Sequence, residues 1–111
     1  MNGKLNESDW KTFRNSLPEL REKYLYKKNQ DIVKLLNNPK ESPTECFWKA
    51  EERIKEEARI LRDCFDGYSR SKMYLHIMLM CRYGILEKED LEKFSEELQA
   101  EHREILEQLN K

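Results

Sequence analysis

A glutamate and a histidine form the first candidate pair for catalysis or metal binding. Glu57 lies ten residues before Gly67 and His76 lies nine residues after it. If two helices form a hairpin about Gly67, both side chains lie at nearly the same depth, because each helical residue rises about 1.5 Å. An imidazole beside a carboxylate can act as a general base or bind a metal. The pattern favours the commoner alternative, which is a hydrogen-bonded structural pair or a histidine at the helix surface.

A second set of polar residues follows Gly67 at the predicted start of a helix. Ser69, Arg70, Ser71 and Lys72 offer hydroxyls, two cations and free backbone amides, which suit a phosphate or carboxylate ligand. The segment lacks the glycines that let a backbone wrap around phosphate groups. A serine cap with ordinary ion pairs is therefore favoured over an anion site.

The cysteines and histidines do not form a metal motif. Cys46, Cys64 and Cys81 are odd in number and lack the close spacing of structural zinc sites. A dimetal bundle would need paired Glu-x-x-His elements, which the sequence lacks. We therefore expect no metal and no cofactor. Reduced thiols in buried positions predict a cytoplasmic protein.

Several aromatic residues are candidates for an interaction surface. Trp48 lies beside Phe47 and cannot share its direction on a helix, so one of the two is expected outside the core. Trp10 and Phe13 near the N-terminus are the other candidates. The segment 10–34 mixes aromatic and basic residues, but acidic residues dilute its charge, and no DNA-binding helical motif is evident. The surface is therefore expected to bind protein and not nucleic acid.

Start and stop signals divide the chain into helices. Residues 1–7 are expected to be disordered, and a short helix is expected from Ser8 to a break at residues 16–18, where Pro18 interrupts it. A longer helix then runs to about residue 37. Ser42 with Glu45 predicts a capping box that starts the next helix. Its apolar residues recur at spacings of three and four on one face: Phe47, Ala50, Ile54, Ala58, Leu61 and Phe65.

The segment 73–83, MYLHIMLMCRY, is expected to form the centre of the fold. Nine of its eleven residues are apolar, so a helix here has no solvent face and needs neighbours on most sides. A last helix is expected to start around Glu87 or Lys88. The sequence thus predicts an all-α fold, an antiparallel bundle of four main helices plus a short N-terminal helix, with residues 8–111 as a single domain.

Composition limits the function. The 111 residues are 39% charged with a net charge of -1 and a mean hydropathy of -0.99, which gives no attraction to nucleic acid or to an anionic membrane. The longest apolar run, about eleven residues, is shorter than the roughly 20 that a membrane span needs. A homodimer is expected, because the helix at 73–83 has more apolar surface than three amphipathic helices cover.

The function predicted from the sequence is that of a small cytoplasmic, non-enzymatic protein-protein interaction or regulatory protein. The alternative is a ligand- or anion-binding bundle, with a catalytic role open to it. That bundle would use Glu57 and His76, or the helix start at Ser69, Arg70, Ser71 and Lys72.

Overall fold

Two long antiparallel helices form the frame of the molecule. The computed structural model describes residues 6–109, in which α1 (Glu7–Leu36) and α2 (Pro43–Phe65) are joined by a short loop. The side chain of Asn6 accepts hydrogen bonds from the first backbone amides of α1. Ser42 and Glu45 form the predicted capping box of α2, with Pro43 in its first turn.

Shorter helices follow the hairpin and pack together at one end of it. A 3-10 turn (Arg70–Lys72) leads into α3 (Met73–Arg82), and α4 (Lys88–Leu91) and α5 (Glu96–Leu109) complete the chain. Gly67 and Gly84 have φ values of 69° and 77° and end α2 and α3. We call residues 68–109 the lobe. The predicted all-α bundle is confirmed, and residues 6–109 contain no strand.

The hydrophobic core lies where the lobe packs against the open end of the hairpin. The core joins the first half of α1 and the second half of α2 to α3, α4 and α5. Its members include Phe13, Leu17, Leu20, Ile60, Cys64, Met73, Ile77, Met80, Ile85, Leu86, Phe94 and Leu98. On α1 the core ends at Tyr24, so the helix runs on past it for three more turns.

A buried carboxylate fixes the lobe to the start of α1. Asp9 is only 2% exposed and accepts hydrogen bonds from the backbone amide of Ser95 at 2.8 Å and from its hydroxyl at 2.5 Å. The Ser95 hydroxyl oxygen in turn accepts from the amide of Leu98 at 3.3 Å, which caps the first turn of α5. A second link, from Lys23 to Asp90 at 2.7 Å, holds α4 against α1.

The break predicted at residues 16–18 does not occur, because α1 continues through Pro18. The same buried stripe runs along α1 on both sides of this residue, from Trp10 to Tyr24. Burying it offsets the roughly 3 kcal/mol that an internal proline costs a helix. The predicted short N-terminal helix is thus the beginning of α1, and the short helix of the fold is α4.

Other boundaries also differ from the prediction. Of the N-terminal segment expected to be disordered, residues 1–5 lie outside the described residues, whereas Asn6 caps α1 and Glu7 is its first residue. The last helix predicted from about Glu87 is divided into α4 and α5. Most of α3 is covered, as expected, with Met73, Ile77 and Met80 fully buried, although Leu75 is 50% exposed.

Candidate functional site

The hairpin extends well beyond the lobe. Thirty helical residues make α1 about 45 Å long, and the molecule measures 55 × 30 × 19 Å. Its radius of gyration, 16.6 Å, exceeds the roughly 13 Å expected for a compact chain of this length. In the part of the hairpin beyond the core, residues 25–56, the buried side chains are Cys46 and Ala50. This distal half therefore lacks an apolar core of its own.

Each helix of the distal half carries a stripe of apolar side chains that the lobe leaves uncovered. Leu36, Phe47 and Ile54 are 49%, 56% and 50% exposed, and the others are partly buried. Spacings of seven and four residues place the members of each stripe on one side of its helix. We call the two stripes together the hairpin face: Leu25, Ile32 and Leu36 on α1, and Phe47 and Ile54 on α2.

The two stripes open on the same side of the hairpin. The helices meet through Tyr24 and Asp31 on α1 and through Arg53 and Glu57 on α2. At 100° per residue, each stripe lies roughly 80–110° further round its helix from this contact line. Antiparallel helices viewed end-on turn in opposite senses, so equal rotations away from the contact line lead to one common side. The stripes therefore form a continuous surface about two helices wide.

The lobe lies on the opposite side of the hairpin. Asp9 and Lys23, which bind Ser95 and Asp90 of the lobe, are rotated away from the contact line in the other direction. These contacts place α4 and the start of α5 on the side away from the hairpin face, whereas Arg70 of the lobe reaches Glu7 at the far end of α1 from the distal half.

Large apolar side chains also flank the hairpin face. Of the nine large hydrophobic side chains that are exposed among the described residues, six lie in the distal half, so the apolar exposure is concentrated there. Tyr26 and Val33 lie at the outer edge of α1, and Trp48 lies at the outer edge of α2. The ring of Trp48 packs edge-on against that of Phe47, with centroids 4.9 Å apart. Trp48, a candidate from the sequence, is 59% exposed.

Trp10 and Phe13, the other two candidates for an interaction surface, are buried instead. They are 8% and 0% exposed and stack on each other with ring centroids 5.9 Å apart. The helix that was expected to end near Pro18 continues, so its aromatic residues join the same core stripe as Leu17. Their prediction as surface residues was wrong.

Polar contacts hold the two helices together beyond the core. The Tyr24 hydroxyl donates a hydrogen bond to Oε1 of Glu57, a carboxylate that is only 6% exposed. Nε of Arg53 donates to Oε2 of Glu57 at 3.1 Å, and its Nη2 reaches Asp31 at 3.4 Å. Burial and the neighbouring carboxylate raise the pKa of Tyr24, which keeps its hydroxyl a proton donor. This network serves as a bridge between α1 and α2.

Glu57 and His76 do not form the predicted pair. His76 is 4% exposed, and its Nδ1–H donates to the backbone carbonyl of Cys64 at 2.7 Å. Both carboxylate oxygens of Glu57 are occupied by Tyr24 and Arg53. Each residue is buried and hydrogen-bonded, but in a separate set of contacts and not as a pair.

The proposed anion site before α3 is also occupied by contacts within the protein. The guanidinium of Arg70 lies 3.1 Å from a carboxylate oxygen of Glu7 and 5.6 Å from the ring centroid of Trp10. The hydroxyls of Ser69 and Ser71 are 3.2 Å apart. Arg70, Ser71 and the neighbouring Lys72 are exposed. The turn therefore connects the lobe to the start of α1 and directs one of its two cations at an internal carboxylate.

Acidic residues at α4 are grouped closely enough to hold a cation, but two of them are used in ion pairs. Carboxylate oxygens of Glu87, Glu89 and Asp90 lie within 4.8 Å of one another. Lys23 reaches both Glu87 and Asp90, and Lys27 reaches Glu87 at 3.3 Å. A cleft beside these residues encloses about 20 Å³, room for about one water molecule and far below the several hundred Å³ of ligand pockets.

One buried histidine has no hydrogen-bond partner within the described part of the protein. His102 on α5 is 4% exposed, and neither of its ring nitrogens is paired. Its ring lies edge-on to Tyr74 of α3, with centroids 5.6 Å apart. Burial lowers the pKa of His102, and the charge of Glu101 opposes this only partly. Burial therefore favours the neutral form of His102 while α5 is packed against α3.

Comparisons with known proteins identify no relative. The sequence matches no model of a protein family, and neither the proteins of known function nor the solved structures include a similar chain. Among the described helices, none is long and apolar enough to cross a membrane.

Removing the Tyr24 hydroxyl tests the polar bridge between the helices. Tyr24→Phe leaves one oxygen of a buried carboxylate without its donor, so we expect a loss of about 1–3 kcal/mol in the free energy of unfolding. Tyr26→Phe is the matched control, because Tyr26 is 69% exposed and its hydroxyl has no such role. Denaturant unfolding compares the two variants, and equal stabilities would contradict the bridge.

The pH dependence of stability tests the burial of His102. Its folded pKa is lowered from 6.5, so the unfolded chain takes up the proton first as the pH falls. We expect the free energy of unfolding of the wild type to decrease below about pH 6.5, and His102→Leu to remove this part of the decrease. Thermal unfolding of both proteins between neutral and mildly acidic pH measures it. If the stabilities of the wild type and of His102→Leu changed equally with pH, the expected titration of His102 would be contradicted.

Proposed function

We propose that this protein is a non-enzymatic interaction protein that binds a protein partner through the hairpin face. The observation that carries the proposal is the continuous apolar surface formed by two helices on the side away from the lobe. Contiguous exposed apolar surface of this kind typically marks an interaction site. Burying a half-exposed side chain such as Phe47 or Ile54 contributes on the order of 1 kcal/mol.

The construction of the distal half supports the same function. Its buried residues are few, and polar contacts such as that between Arg53 and Asp31 supply much of the attachment between the helices. Most helical stability in proteins comes from packing of an amphipathic face. A partner on the hairpin face would provide the packing that the lobe provides for the other half.

The charges around the hairpin face favour a protein partner over a membrane or nucleic acid. Membrane-surface helices combine an apolar face with many basic residues, whereas α2, which carries Phe47 and Ile54, has six acidic and five basic residues. The net charge of -1 gives no general attraction to phosphates. The three cysteines are buried and unpaired, which supports the cytoplasmic location predicted from the sequence.

Site-specific photo-crosslinking tests the proposal in cells. A photoreactive phenylalanine analogue replaces Ile54 on the hairpin face or, as the matched control, Leu75 on α3. Both positions are 50% exposed, so they differ in location and not in accessibility. We expect a discrete protein adduct from position 54 that is absent or much weaker from position 75.

Either a second copy of the chain or a different protein in that adduct would support binding at the hairpin face. Adducts to lipid alone, equal adducts from both positions or no adduct from position 54 would contradict it. Circular dichroism of both purified variants checks that the helices are intact.

A further inference from the structure

We propose that the occupant of the hairpin face is a second copy of this chain, so that two hairpins pack face to face as a four-helix bundle. This inference rests on the proposed function and names its partner. The sequence predicted a homodimer through the helix at 73–83. In the structure, the uncovered apolar surface lies instead on α1 and α2, whose apolar stripes are exposed over several turns.

The width of the exposed surface fits a two-helix partner. The hairpin face spans two helices, and apolar residues continue to the outer edges at Tyr26 and Val33 on α1 and at Trp48 on α2. A single helix, about 10 Å in diameter, would cover only the groove between α1 and α2. A second hairpin has the required width, and packing of two helix pairs is a standard way to build a bundle.

The amount of exposed apolar surface is enough for a stable dimer. The hairpin face and its edges comprise eight side chains, of which six are 49–69% exposed and two are partly buried. At roughly 150–250 Å² for a large side chain, the six exposed ones amount to on the order of 700 Å² per copy. Specific dimers of standard size bury about 800 Å² on each partner.

The charges of the two helices also suit self-association. Helix α1 has seven basic and five acidic residues, and α2 has five basic and six acidic residues. When α1 of one copy packs on α2 of the other, a helix with a net positive charge faces a helix with a net negative charge. The symmetric dimer contains this contact twice. A two-fold axis along the hairpin produces this arrangement. On the face itself, Glu51 is neutralised by Lys55, which removes one source of repulsion between identical copies.

The lobe does not obstruct this dimer. The contacts of Asp9 with Ser95 and of Lys23 with Asp90 place α4 and the start of α5 on the side opposite to the hairpin face, and Arg70 contacts Glu7 at the end of α1 far from the distal half. Each lobe would therefore lie on the outside of the bundle.

Sedimentation and light scattering of the purified full chain test the inference. We expect a reversible dimer, and we expect Ile54→Glu to raise its dissociation constant by about 30-fold or more, the effect of losing a central contact. Leu36→Glu on α1 is a second variant at equal exposure. Leu75→Glu on α3 is the control with the same charge and exposure, and its dissociation constant should match the wild type.

Three results would overturn the inference. They are a monomer at every concentration, a dimer that Ile54→Glu and Leu36→Glu leave unchanged, and a dimer that Leu75→Glu weakens equally. Unaltered helical circular dichroism and thermal unfolding separate a lost interface from a lost fold. A monomer in these measurements that still forms an Ile54-specific adduct to another protein would end the dimer proposal and leave the interaction function standing.

Cysteine trapping tests the pairing of α1 with α2. Ile32 and Phe47 lie at similar heights on the two helices, so a mixture of Ile32→Cys and Phe47→Cys chains should form the mixed disulfide in preference to either symmetric one. Treating the wild type in parallel corrects for its three buried cysteines. A preference for the symmetric Ile32→Cys disulfide would overturn this arrangement.

Discussion

The lobe is shorter than the hairpin on which it packs, and this difference in length shapes the whole molecule. Core packing covers α1 from Trp10 to Tyr24 and covers α2 from Ile60 onward. The remaining turns are helical and amphipathic, but several of their large apolar residues, among them Leu36, Phe47 and Ile54, stay about half exposed. Only 38% of the residues are hydrophobic. A group of large apolar side chains on one uncovered surface therefore indicates a binding function.

The two halves of the hairpin are stabilised by different forces. Apolar burial dominates beside the lobe, where Phe13, Ile77 and Leu98 are fully buried. Further out, the attachment depends on the Glu57 network and on a few small buried residues. Such contacts fix the register of two helices but contribute less stability than a packed core. Regions of this kind open first in local unfolding, and binding of a partner stabilises them.

Much of the fold could be predicted from the sequence because its signals are local. The capping box at Ser42 and the glycine stops at Gly67 and Gly84 each lie within a few residues. The apolar period of α2 predicted the helix but not its buried side, because Phe47 and Ile54 of the predicted stripe are exposed. The continuity of α1 could not be predicted this way, because it depends on tertiary burial that outweighs the cost of Pro18. The division of α4 from α5 likewise depends on the distant partner Asp9, which binds Ser95.

The candidate site was predicted only in part, for a reason visible in α1. The core stripe ending at Tyr24 and the later stripe of Leu25, Ile32 and Leu36 differ by roughly 100° around the helix. A rotation of the apolar face within one helix is a sign that the helix changes partners. Trp48 was identified as a surface residue because adjacent residues on a helix point in different directions, so Trp48 and Phe47 could not both face the core. Trp10 and Phe13 were wrongly predicted to lie on the surface because the sequence predicted a separate short helix at the N-terminus, whereas α1 is continuous.

Hydrogen exchange of the backbone amides, measured at low and high protein concentration, tests most directly whether the hairpin face is a binding surface for a second copy. Amides of residues 25–36 and 47–58 should exchange more slowly as the concentration rises, while those of the core around Phe13 and Ile77 should not change. Protection of the distal hairpin that is independent of concentration, or equal to that of the core in dilute solution, would contradict it.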